Sequence, residues 1–213
     1  MNQNPSATRR PGPAGVVFDL DGTITRPRLD FEAIRTEIGL APDLPILEQL
    51  VAADAALRSR AEEVLAVHES EAARESELND GARALFEYLD RHEIPRGVVT
   101  RNTRRNAELV ARKHGLRFGP IAGRDCAPPK PHPEALRLIA RRLGTLPREM
   151  VMVGDYRYDI EAGRAAGMTT VLVTNGEIKS YAAEAHRVVA RLDELIAWFE
   201  DWEARGAGPQ SRE

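Results

Sequence analysis

Four unbroken apolar runs rich in β-branched residues constrain this chain more than any other feature: Gly15-Val16-Val17-Phe18, Gly97-Val98-Val99, Met150-Val151-Met152-Val153 and Thr170-Val171-Leu172-Val173. Continuous rather than alternating hydrophobicity marks strands covered on both faces, as in a parallel sheet. Pro120-Ile121-Ala122 and Arg187-Val188-Val189 read as two weaker strands. Between the runs lie stretches with helical spacing, 106–113, 133–143 and 158–166, which stop at Gly115, Gly144 and Gly167. Glycine just past a last turn takes the left-handed position without steric cost. Pro133 suits a first helical turn, where its missing N–H is not needed. Alternating strands and helices predict an α/β fold, a doubly wound and mostly parallel sheet.

The stretch 29–73 breaks the alternation. It carries no convincing strand and reads as two or three helices. Asp30 caps the first, Gly39 ends it, Pro42 and Pro45 mark the connection, and Leu50, Leu57, Ala61, Val64 and His68 lie along one side of a long helix. The expected organisation is a flexible N-terminal segment (1–13), an α/β core (14–26 and 80–203), a small helical cap inserted after the first strand (27–79) and a disordered tail (204–213). A length of 213 residues accommodates that plan. A net charge of −3 gives no reason to expect nucleic acid or an anionic membrane as partner. No run reaches the ~20 apolar residues of a spanning helix, and the basic start of the chain lacks the apolar segment of a secretory signal. One cysteine, Cys126, excludes an internal disulfide framework. The expected setting is the cytoplasm.

Three strong runs end in polar residues: Asp19-Leu20-Asp21-Gly22-Thr23, Thr100-Arg101-Asn102, and Gly154-Asp155 with Asp159 four residues on. In open α/β sheets ligands bind outside the carboxyl ends of the strands. Asp19, Asp21, Thr100, Asp155 and Asp159 therefore surround one crevice. Four converging carboxylates repel one another, and a hard divalent cation with oxygen ligands, magnesium above all, answers that charge. Lys130 supplies a second cation, in Ala127-Pro128-Pro129-Lys130-Pro131-His132-Pro133. Only Lys113, Lys130 and Lys179 of the 30 basic residues are lysine, so a lysine here points to a geometric demand for a compact ammonium.

Asp-x-Asp-Gly-Thr after a first strand, Thr after a second, Lys before a helix and Gly-Asp-x-x-x-Asp after a later strand resemble the four motifs of the haloacid dehalogenase superfamily. The resemblance spans about 15–176, and the helical insert is similar to the small α-helical cap of its phosphoglycolate phosphatase-like branch. It implies a magnesium-dependent phosphatase acting on a small phosphorylated metabolite. Asp19 would be the nucleophile, forming an aspartyl-phosphate. Asp21 would be the general acid and base. Asp19, Asp21 through its backbone carbonyl, Asp155 and Asp159 would surround the metal, with Asp159 a direct or indirect partner. Thr100, Arg101 through its backbone N–H, Asn102 and Lys130 would bind phosphoryl oxygens. A carboxylate at Asp21 favours phosphate-ester chemistry over dehalogenation. The alternatives are a phosphomutase on the same scaffold, disfavoured by the short cap, and a receiver-like phospho-acceptor domain, disfavoured by the insert and by Asp21.

The remaining candidates have plainer expected roles. His68 is expected to pack the cap on the core. Arg28, Arg35, Arg58 and Arg60 could meet a substrate anion, although a solvated helix face is the default for each. Cys126, Trp198 and Trp202 read as structural. Hinges are expected near 25–28 and 77–81.

Overall fold

The computed structural model describes residues 12–42 and 44–202; the N-terminal expectation for 1–11 and the tail expectation for 204–213 lie outside them. Among the described residues six strands follow one another: β1 (Gly15–Phe18), β2 (Arg96–Val99), β3 (Ile121–Ala122), β4 (Met150–Gly154), β5 (Thr169–Val173) and β6 (Arg187–Val189). They form one sheet in the order β3-β2-β1-β4-β5-β6, with every pairing parallel. This is the doubly wound, Rossmann-like arrangement, and both weak strands are its edges. β1, β2, β4 and β5 are buried at every position, which explains why their sequences do not alternate.

Among the described residues eight α-helices accompany the strands: α1 (Phe31–Ile38), α2 (Ile46–Gln49), α3 (Ala55–Glu75), α4 (Ala82–Arg91), α5 (Arg104–His114), α6 (Glu134–Leu143), α7 (Arg157–Ala166) and α8 (Glu194–Glu200). One face of the sheet packs Val16, Phe18, Val98, Val151 and Val171 against Leu85, Phe86 and Leu89 of α4, Val110 of α5 and Phe199 of α8. The other packs Val17, Val99 and Met152 against Leu136 and Ile139 of α6 and Ala162 of α7. Period-two strands thus feed both layers, and each buried branched side chain contributes about 1.5–3 kcal/mol. α5, α6 and α7 end at Gly115, Gly144 and Gly167, all left-handed.

α1, α2 and α3 lie between β1 and α4 and share their own apolar cluster of Ile34, Ile38, Ile46, Ala61, Val64 and Leu65. Asp30 caps α1, its Oδ1 accepting from the N–H groups of Glu32 (3.1 Å) and Ala33 (3.0 Å). α3 starts later than its spacing suggested: Asp54 caps it, and Leu50 instead closes α2 while still packing on the same cluster. His68 differs from expectation as well. Its Nε2 lies 2.8 Å from Glu37 Oε2, so it ties α3 to α1 rather than to the sheet. The two chain crossings run side by side. Thr25 bridges Leu78, and the Arg26 N–H donates to Glu77 O at 3.0 Å. Trp198 and Trp202 pack edge to face, 5.0 Å between centroids. No helix among the described residues is long and apolar enough to cross a membrane.

Candidate active site

β1 is the switch point of the sheet, because the chain leaves it first toward β2 and β3 and later reaches β4, β5 and β6 on its other side. Phe18 pairs with Val98 of β2 and with Val153 of β4. The segments after these strands therefore emerge within about one residue's rise of one another, which brings Asp19, Thr100 and Asp155 to one crevice. The loop after β1 curls back, with Leu20 O accepting from the N–H groups of Ile24 (2.9 Å) and Thr25 (3.0 Å). Gly22 makes that turn at φ 90, and a Cβ there would lie 2.3 Å from Asp155 Oδ2. Glycine is thus required both by conformation and by the close approach of the two motif loops.

Asn79 and Asn175, which sequence reasoning passed over, clamp this turn from outside. Asn79 Nδ2 donates to Gly22 O (3.0 Å) and Thr23 O (3.1 Å), and Asn175 Nδ2 donates to Gly22 O at 2.9 Å. Thr23 Oγ1 donates to Asp155 Oδ1 at 3.0 Å, locking the first motif to the last.

Carboxylate oxygens of Asp19, Asp155 and Asp159 lie within 4.8 Å of one another. Lys130 Nζ reaches into the group, 2.5 Å from Asp19 Oδ1 and 2.6 Å from Asp159 Oδ1, and is itself buried. Burial pulls the ammonium pKa down, but the charges of Asp159 and Asp19 outweigh it and hold Lys130 above its ordinary range. One ammonium does not balance three carboxylates. Burial drives Asp19 well above a normal carboxylate despite Lys130, and burial followed by the Asp159 charge pushes Asp155 up to about 7. An all-oxygen donor set with surplus negative charge in a water-poor crevice fits a hard divalent cation such as magnesium. Asp21 is not in that carboxylate group. Its Oδ2 accepts from Asn102 Nδ2 at 3.1 Å, and burial raises its pKa too.

The Thr100 loop faces these groups. Thr100 Oγ1 accepts from the Asn102 N–H at 3.0 Å, and Asn102 Oδ1 accepts from the Thr103 N–H (2.7 Å) and Asn106 Nδ2 (2.9 Å). Asn102 is thereby locked with its amide turned toward Asp21.

The haloacid dehalogenase-like hydrolase family profile matches residues 13–167, which covers every one of these motif residues. The chain belongs to that family. Among its relatives is a haloacid dehalogenase-like hydrolase domain-containing protein of Arabidopsis thaliana, 31% identical over 171 residues, 75% of this chain and 70% of the relative. A phosphoglycolate phosphatase of Salmonella typhimurium is 52% identical over 56 residues, 26% of this chain and 22% of that protein. A hydrolase from Pseudomonas syringae has the same fold, with a TM-score of 0.73 at 21% identity over 88% of this chain and 98% of that one.

In this hydrolase the crevice opens into a cavity of about 460 Å³ between the sheet and α1–α3. Two ion pairs each contribute one residue, Arg101 and Glu69, to its wall. Arg101, expected at the phosphate, sends its guanidinium to Glu48 of α2 (2.8 and 2.7 Å), to Lys130 O, and over the ring of Tyr158 at 4.8 Å. Only its backbone remains with the Thr100 loop. Arg124 Nη1 donates to both oxygens of Glu69 on α3 and to Arg101 O at 3.0 Å. Glu48, Glu69, Arg124 and Tyr158 went unnoticed in the sequence, where each looks like an ordinary helix-face or loop residue. Of the four arginines considered for a substrate anion, Arg28 pairs with Glu75, Arg60 donates to Glu37 O at 2.6 Å, Arg58 is exposed, and Arg35 lines the cavity.

Proposed function

We propose that this hydrolase is a magnesium-dependent phosphatase that cleaves a small-molecule phosphomonoester through an aspartyl-phosphate on Asp19. The observation that carries the reading is the pairing of Lys130 with Asp19 inside a three-carboxylate group, with Asp21 two residues on and outside it. Asp19, Asp155, Asp159 and the backbone carbonyl of Asp21 would hold the cation. When bound, magnesium supplies positive charge that lets a phosphate dianion approach a carboxylate.

The chain's own groups do the rest. Lys130 orients Asp19 and, together with the bound cation, would favour its ionised form, and its ammonium offers further donors to the phosphoryl oxygens. The Thr100 hydroxyl and the Arg101 N–H orient the same oxygens. An Asp19 oxygen attacks phosphorus as the ester P–O bond breaks, and Asp21 protonates the departing oxygen. Asp21, now ionised and steadied by Asn102, takes a proton from water as that water attacks the phosphorus. Phosphate leaves, and both aspartates return to their starting forms. A free cytoplasmic metabolite suits a cavity of this size.

Phosphate release from a panel of phosphomonoesters with magnesium tests the reading, with Asp19→Asn as control. Turnover that disappears in the variant supports it. Transfer of labelled phosphoryl to a sugar would replace it with a mutase, and a lasting phospho-adduct would replace it with a phospho-acceptor domain.

A further inference from the structure

The cations lining the cavity are, with one exception, matched within the protein. Arg101 is held by Glu48, and Lys130 by Asp19 and Asp159. Arg35 is the exception among the described residues. It sits in the last turn of α1, lines the cavity, and buries its Nε without any hydrogen-bond partner. No side-chain hydrogen bond or ion pair joins it to another described residue. A cation near a helix C-terminus gains from the macrodipole when solvated, but that gain does not call for a buried, unpaired Nε. A buried donor left unmade is costly and marks a place where a partner belongs.

The surroundings describe that partner. Phe31 and Leu44 stand at the cavity wall with more than half of each exposed, and Leu29, Ile46 and Leu65 continue the apolar lining. Such a wall offers little to a polyhydroxylated leaving group, whose hydroxyls would go unsatisfied. We propose that Arg35 is a specificity-determining residue that pairs with a second anionic group on the substrate, across an apolar linker from the phosphate ester. This inference rests on the phosphatase reading and deepens it by naming a substrate class: phosphomonoesters with an apolar body and a distal carboxylate or phosphate. Planar guanidinium suits either anion through paired N–H donors.

The test compares three series of straight-chain esters with three to six carbons: alkyl phosphates, the corresponding phosphonooxy alkanoates, and alkanediol bisphosphates. In the wild type, one anionic series should show a kcat/KM higher by about tenfold or more than the alkyl series at its best length, mainly through KM. The better anionic series identifies the distal group. Arg35→Met should shrink that preference to about twofold or less, while Arg35→Lys retains part of it. Melting temperatures of both variants separate a structural effect, which would lower stability without changing the preference. Hydrolysis of all three series with equal efficiency, or a preference unchanged in Arg35→Met, overturns the inference and leaves the phosphatase reading standing. Release of phosphate from none of them while other phosphomonoesters are cleaved overturns the inference alone, and release from no phosphomonoester at all overturns both.

Discussion

Arg124 grips Glu69 with one nitrogen, 2.6 Å from one carboxylate oxygen and 2.8 Å from the other, and so joins α3 to the loop after β3. The Glu69 side chain is 6% exposed and that of Arg124 18%, so neither charge has bulk water to fall back on. The same nitrogen holds Arg101 O, which fastens the helices over the crevice to the loop that carries Thr100.

Removing one partner of this pair leaves the other charge buried. Arg124→Met should lower stability by about 3 kcal/mol, read from chemical denaturation. Glu69→Gln in the same chain should restore a good part of that loss, because two neutral groups lack the uncompensated charge. Strictly additive losses in the double variant would show that the two residues act independently.

Glu69 also makes stability depend on pH. Burial raises its pKa from 4.5 to about 7 even beside Arg124. The folded state thus binds this proton more tightly than the unfolded state. The stability that the proton contributes is complete below about 4.5 and is lost as pH rises toward about 7. A pH series of melting temperatures for wild type and Glu69→Gln should diverge across that window, with the wild type falling more steeply. Parallel curves would remove Glu69 as the source.

Asp21 is asked to protonate the leaving oxygen, and its replacement should depend on what leaves. Asp21→Asn should reduce turnover of alkyl phosphates by about 10²–10⁴-fold. The loss on 4-nitrophenyl phosphate should be much smaller for phosphorylation of Asp19, since nitrophenolate departs without a proton. A burst of nitrophenol in rapid mixing followed by slow turnover would display the second, base-dependent step. An equal loss in the first step for both esters would contradict the assignment.

Lys130 is buried between two carboxylates, 2.5 and 2.6 Å away. Lys130→Met should cost about 3–5 kcal/mol in the chelator-treated protein. Added magnesium should narrow the gap in melting temperature between variant and wild type, because a cation can offset the same surplus charge. A variant as stable as wild type under chelation would show that the carboxylates do not need the ammonium.

Arg101 and Glu48 form a partly exposed bridge between the Thr100 loop and α2. Such a pair contributes about 1 kcal/mol or less. Glu48→Ala should therefore raise the rate of limited proteolysis between α1 and α3 by up to about fivefold. A phosphate analogue that protects the wild type should protect this variant less.

The strand-end motifs were legible because β1, β2 and β4 are neighbours in register, so residues just past three apolar runs have one place to converge. Asp19, Asp21, Thr100 and Asp155 follow from that geometry, since a buried parallel sheet announces itself as continuous hydrophobicity and its carboxyl ends are where polar side chains meet. Lys130 was legible instead as a rare lysine in a proline-rich segment before a helix. The C-terminal ends of α5, α6 and α7 were readable from single glycines for a similarly local reason. The start of α3 was missed by a few residues because Leu50 keeps the apolar period while Asp54 makes the cap.

What the tertiary structure alone decided is how the helices of the insert meet the sheet. Glu48 finds Arg101, and Glu69 finds Arg124, across more than fifty residues of chain. No periodicity or motif spacing encodes such pairs, because either partner on its own is an ordinary charge on a helix or loop. Only the docking of α2 and α3 over the crevice turns the Arg101 guanidinium away from the phosphate, buries Glu69, and leaves Arg35 in the cavity with no carboxylate partner among the described residues. Local sequence thus determined the sheet and the residues at its strand ends, where hydrophobic patterning and register act over short range. The long-range matching of individual charges determined the cavity, and that matching exists only once the chain has folded.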